Sequence, residues 1–116
     1  MKFTIPKPPS VNHLYGLHGH IKYITKKGKE WFETAGLTIR EQTTIGEPLM
    51  RCRLYVNTYI MDQSDLDNLL KATQDLLTHM RIIEDDKYIM EIHMQKTIVK
   101  HRKQEQLEVE IQKYEI

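Results

Sequence analysis

Within about fifteen residues this chain changes its hydrophobic period from two to nearly four, and few arrangements within one domain accept that change. Met50, Cys52, Leu54, Val56 and Thr58 alternate with Arg51, Arg53, Tyr55, Asn57 and Tyr59, the pattern of a strand with one face buried. From Ser64 onward the apolar positions are Leu66, Leu69, Leu70, Leu76, Leu77 and Met80, with Thr73 in phase, which makes one stripe of a helix. A half-buried strand that runs straight into an amphipathic helix needs a shared core, so the pattern calls for a sheet with helices laid on it.

The flanks supply the rest of that sheet. Lys2 to Ile5 reads as an opening strand, and Pro6, Pro8 and Pro9 then impose a stiff, donor-poor path through residues 6–16, packed by Leu14 and Tyr15. Ile21 to Thr25 is strand-like. Thr25 is placed to cap a helix over roughly 26–44, whose stripe is Trp31, Phe32, Ala35, Ile39 and Gln42, ended by Gly46 and Pro48. Downstream, Tyr88, Met90, Ile92, Met94 and Ile98 alternate, with Lys96 in phase. A basic loop, Lys100-His101-Arg102-Lys103, leads to Leu107, Val109 and Ile111 alternating with Glu108, Glu110 and Gln112. The last two strands read as an antiparallel hairpin. The expected fold is α+β (mixed α/β), β-α-β-α-β-β, a mixed sheet with two helices packed on it, in a single domain over residues 1–116.

Composition narrows the function classes. No apolar run exceeds three residues, the N-terminus has no signal-like stretch, and the single cysteine, Cys52, has no partner for a disulfide within the chain. A cytoplasmic protein is expected. Net charge is only +1, yet residues 1–60 hold nine Lys/Arg against four Glu, while residues 61–116 hold eight against twelve Asp/Glu. A basic half beside an acidic half suits a protein that holds phosphates with one part and metal with the other, although solvated charges can segregate by chance.

The acids are concentrated where the period changes. Asp65 and Asp67 sit one residue apart at the start of the helix, Lys71 and Asp75 follow at four-residue spacing, and Glu84-Asp85-Asp86 comes beyond the helix. Acids gathered in this way repel unless a positive charge sits among them, and a hard divalent cation with oxygen ligands meets that need. The same residues also suit a plain helix start, because acids are favoured in a first turn and acid–lysine pairs at this spacing add a little stability. Reach is compatible with the metal reading. Residues 67–80 as helix span roughly 20 Å, and residues 80–86, if extended, return roughly 20 Å. That is just enough to bring Asp86 back to Asp65 and Asp67. His18 and His20 have the spacing of two ligands on one strand face but lack a third partner. The basic candidates for phosphate contact are Lys22, Lys26, Lys27 and Lys29 at the start of the first long helix, and Arg51 and Arg53 among the strand tyrosines.

With those residues placed, the chain resembles the RusA family of Holliday junction resolvases, small homodimeric endodeoxyribonucleases of bacteria and their phages. Pro8-Pro9-Ser10-Val11-Asn12-His13-Leu14-Tyr15 resembles the family's proline-asparagine-tyrosine motif. Asp65-Leu66-Asp67-Asn68 with Lys71, Asp75 and Leu76 resembles its central signature. Asp85-Asp86 resembles its later acidic pair, and Lys96 also has a counterpart. The resemblance implies Asp65, Asp67 and Asp86 as Mg²⁺ ligands and Lys71 as a catalytic lysine, with Asp75 and Asn68 in support. It further implies a homodimer that nicks both opposed strands of a four-way DNA junction. The candidate DNA contacts are Asn12, Lys22, Lys26, Lys27, Arg51 and Arg53. One departure stands out: the positions just before the first aspartate, often basic in the family, are Asp62-Gln63-Ser64 here. Competing readings are a nuclease for flaps, forks or other branched DNA, and a non-catalytic DNA-binding or Ca²⁺-stabilised module. An EF-hand version of the last fails, because no glycine follows the acids at the required position.

Overall fold

The computed structural model describes residues 1–61 and 64–115. Along the chain these form β1 (Lys2–Ile5), the one-turn helix α1 (Val11–Leu14), β2 (Tyr15–His18), β3 (Ile21–Ile24), α2 (Lys26–Gln42), β4 (Cys52–Ile60), α3 (Leu66–His79), β5 (Ile89–Ile98) and β6 (Gln106–Lys113). The main sheet has the order β1-β6-β4-β5, and β2 pairs with β3 in a separate ribbon. The α+β expectation therefore holds, with a mixed sheet and both long helices on one of its faces.

Strand β4 is the middle of the fold, as its strict alternation suggests. Cys52, Leu54, Val56, Thr58 and Ile60 are all buried, and the intervening residues are half-buried. Its inner face meets Trp31, Phe32, Ala35 and Ile39 of α2, and Ala72, Leu76 and Leu77 of α3, together with Leu107, Val109 and Ile111 of β6. The Thr25 cap is present, since its hydroxyl accepts a hydrogen bond from the Gly28 N–H at 3.0 Å.

The expected hairpin of the last two strands does not form. Strand β5 pairs in parallel with β4, and β6 pairs antiparallel with β4 on its other side and with β1 beyond. The cause lies in α3, which carries the chain from the far end of β4 back to its start, so the next strand must run in the same direction. The loop between β5 and β6 then crosses the end of β4. Its course is fixed by a bond from the Val99 N–H to the Ile60 carbonyl at 2.9 Å and one from the Met61 N–H to Glu105 Oε2 at 3.0 Å. As the outermost strand, β5 also leaves Met90, Ile92 and Ile98 exposed, despite a pattern that reads as a core face.

The proline-rich stretch is more ordered than a stiff loop. The Ser10 carbonyl accepts from the N–H groups of His13 and Leu14, both at 2.9 Å, closing α1, and Leu14 is fully buried. A single turn is too short to show a helical period. The ribbon that follows turns at Gly19, whose φ of 65° suits glycine. Helix α1 packs against the start of α2 so closely that a Cβ on Gly28 would lie 2.5 Å from the Leu14 carbonyl oxygen. Replacing a helical glycine by alanine normally gains about 1 kcal/mol. Here Gly28→Ala is expected to lose stability instead, because the obstacle is backbone. Urea unfolding of the variant checks this, and a stabilised protein would refute the close approach.

Candidate active site

Helix α3 presents two stripes. One is the apolar seam already described; the other carries Asp67, Lys71 and Asp75, each one turn from the next. Asp65 occupies the N-cap position with extended backbone, yet its side chain makes no capping bond. The carboxylate is thus not consumed by the helix start, which was the bland use for an acid here. Asp67 is exposed in the first turn and Asn68 lies beside it. Of the three positions before Asp65, Asp62 and Gln63 lie outside the described residues.

Lys71 and Asp75 form an ion pair at 4.0 Å. Asp75 also accepts a hydrogen bond from the Tyr15 hydroxyl, which bridges 60 positions of sequence and fastens the proline-asparagine segment to the helix. Burial, then the bond to Asp75, pushes the Tyr15 hydroxyl well above its ordinary range, so it stays protonated and remains a donor. The Lys22 ammonium stands over the Tyr15 ring, 4.0 Å from its centre. From sequence Tyr15 reads as packing and as the tyrosine of the motif-like stretch, with no partner named. Its role as an anchor depends on a long-range contact that no local pattern reports.

Asp86 reaches this group by a bulge. Between the bridge Leu49–Ile83 and the pair Cys52–Ile89 one chain advances three residues and the other six. The surplus forms a 3₁₀ turn, Asp86–Tyr88, capped by the Asp85 side chain accepting from the Lys87 N–H at 3.0 Å. The turn swings the acidic pair out of the strand line toward α3. A hydrogen bond with Asp85 is the main cause that lifts the Asp86 carboxyl above the usual carboxylate range. Partial burial and the charges of Asp85 and Asp75 add to it, and Lys71 opposes it. Asp85 moves the other way, held down by the Lys87 N–H and by its bond with Asp86.

The return path therefore brings Asp86 within electrostatic reach of Lys71 and Asp75 on the polar stripe of α3. Arg81 turns with φ of 60°, Ile82 and Ile83 both donate to the Leu77 carbonyl, and the bulge takes up further length. Among the described residues, no group of three or more His, Cys, Asp or Glu side chains is arranged to hold a metal ion. The chemistry of the donors nevertheless fits a hard cation: they are carboxylates in excess over one ammonium, crowded enough to raise Asp86.

The basic candidates divide. Lys22 is at the site, and Lys27 lines a cavity of about 340 Å³ with Ser64, Asn68 and His13. Lys26 and Asn12 are exposed nearby on α2 and α1. Arg53 is elsewhere, on the sheet face turned away from the helices, where it bonds Glu91 at 2.6 Å and lies over the Tyr114 ring. Arg51 precedes β4 at the same end. Glu108 and Glu110 share that face, which is charge-balanced rather than basic.

Asp86 gives a pH-dependent expectation. A carboxyl whose folded-state pKa is raised contributes stability at low pH that is lost as pH rises through the raised value. Asp86→Asn should therefore raise the melting temperature by about a degree or two near pH ~7 without divalent cations, the group being largely solvated. Near pH ~3 the gain should vanish. Thermal scans at both pH values check it, and a lowered melting temperature near neutrality would contradict the crowding.

Comparison with known proteins identifies the family. A family model described as endodeoxyribonuclease RusA matches residues 6–112, which include Tyr15, Asp65, Asp67, Lys71, Asp75 and Asp86. The crossover junction endodeoxyribonuclease rusA of Enterobacteria phage HK97 is 32% identical over 95 residues, covering 80% of this chain and 79% of that protein. On that coverage and identity, the chain belongs to the RusA family of endodeoxyribonucleases.

Proposed function

We propose that this chain is a Mg²⁺-dependent endonuclease that resolves four-way DNA junctions as a homodimer, in the cytoplasm of a bacterium or a phage-infected bacterium. The observation that carries the reading is the family match across residues 6–112, supported by a relative named for crossover junctions. In this reading Asp65, Asp67 and Asp86 hold the ion, and Asn68 lies alongside. Bound Mg²⁺ supplies polarisation of the scissile phosphate and a more acidic water.

The chain's own residues do the positioning. Hydrolysis of a phosphodiester passes through a species with extra negative charge on the phosphoryl oxygens, and Lys71 offers a fixed ammonium to offset it. An unpaired lysine on a long stem would sample many positions. Asp75 restrains Lys71 through their ion pair, and Tyr15 restrains Asp75 in turn. Two copies of the chain place two such sites on one junction, so opposed strands can be cut as a pair.

A synthetic four-way junction, a matched duplex and a flap, each with and without Mg²⁺, test the reading. Paired nicks in the junction only with Mg²⁺ are expected; preferred cutting of the flap would redirect the substrate, and no Mg²⁺-dependent cutting of any branched DNA would end the enzyme reading. Asp67→Asn should abolish cleavage while junction binding stays near wild type. Lys71→Ala should lower turnover by roughly 10²-fold or more, the scale for losing one charge-stabilising group, with a smaller effect on affinity. Sedimentation should find a particle of twice the 13.8 kDa chain mass.

A further inference from the structure

The basic loop between β5 and β6 has no part in the site described above, yet the fold carries it there. It crosses the end of β4 from which the chain leaves for Asp65, fixed by the Val99–Ile60 and Met61–Glu105 bonds. The loop is also internally ordered. The Gln104 side chain accepts from the N–H groups of Lys100 and His101 at 3.3 and 3.1 Å, and a 3₁₀ turn spans Arg102–Gln104. Lys100, His101, Arg102 and Lys103 are all exposed, and among the described residues none of them is paired with an acid. A run of this kind on an ordinary solvated face has no reason to be held rigid over one particular strand end.

Two cavities continue from it. One, of about 460 Å³, lies between Arg102, Glu105, Met61 and Lys7. The other, of about 340 Å³, begins at the same Lys7 and runs past Pro8 and Ser10 to Lys27, Ser64 and Asn68 at the first turn of α3. Glu105 holds Lys7 between them at 3.4 Å. The result is a trough lined by cations from three separate segments, leading from the loop to the residues beside Asp65 and Asp67.

We infer that this trough carries the phosphodiester backbone of one DNA strand into the site, with Arg102 and Lys103 gripping it on one side and Lys27 on the other. The inference rests on the nuclease reading and assigns its strand-binding residues. Cations at the loop take the place of those that Asp62-Gln63-Ser64 do not supply.

Phosphate contacts reveal themselves by salt dependence, each adding about 0.7–0.9 to the slope of log affinity against log salt. Binding of a labelled four-way junction, with Ca²⁺ replacing Mg²⁺, should be followed from low to moderate KCl for several chains. These are the wild type, Arg102→Ala/Lys103→Ala, the matching pair of glutamine variants, Lys27→Ala, and the control Lys2→Ala/Lys113→Ala. The control removes two charges at the other end of the sheet. Both loop pairs should weaken binding about tenfold or more and lower the slope by about 1.5, and Lys27→Ala should lower it by about 0.8. Single-turnover cleavage at saturating enzyme should stay at the wild-type rate in the Lys2→Ala/Lys113→Ala control. Loop variants that match the control overturn the trough while leaving the nuclease reading intact. A wild-type chain that binds no branched DNA overturns the reading beneath it.

Discussion

Strand β4 is the constraint on which everything else hangs. Both of its edges are paired, one in parallel and one antiparallel, and its inner face is buried along its whole length. A strand so enclosed can release its chain only at its ends, and each end feeds the site. Beyond Ile60 the chain turns into α3 and its acids; beside Cys52 the neighbouring strand begins, just after the bulge with Asp85 and Asp86. Helix α3 joins the two ends, so its polar stripe is the natural meeting ground for residues from both.

What gathers along that stripe is crowded with charge, enough to raise the Asp86 carboxyl. Three acids and one lysine meet beside a tyrosine that cannot ionise in the working range. The structure tolerates the crowding because its core is built elsewhere, and because each acid already has a defined occupation. Asp85 caps a turn, Asp75 is bound by Tyr15, and Asp86 shares a hydrogen bond. Sites that hold hard cations commonly show such tension.

Much of this was legible in the sequence, for identifiable reasons. Long periodic elements such as α2, β4 and α3 announce themselves, and so does the Thr25 cap. The acids announce themselves by density. Topology was less legible, since the alternation of β5 and β6 is the same whether they pair with each other or with β4 between them. The course of the return to Asp86 was not legible, because a left-handed residue and a bulge leave no mark in hydrophobic pattern. Arg53 shows what pattern leaves out: a charge beside tyrosines suits a nucleic-acid surface or a solvated face equally, and only the facing strand shows Glu91 against it. Tyr15, 60 positions from its partner, lay beyond any local reading.

The position of β6 has a consequence for how the enzyme comes into being. This strand, the last in the chain, lies between the first and the fourth. Neither β1 nor β4 has the other as a neighbour, so the sheet cannot close until residues 106–113 have been made and inserted, a contact of high sequence separation that slows folding. A chain made only through β5 carries Tyr15, Asp65, Asp67, Lys71, Asp75 and Asp86 but not the strand that joins β1 to β4.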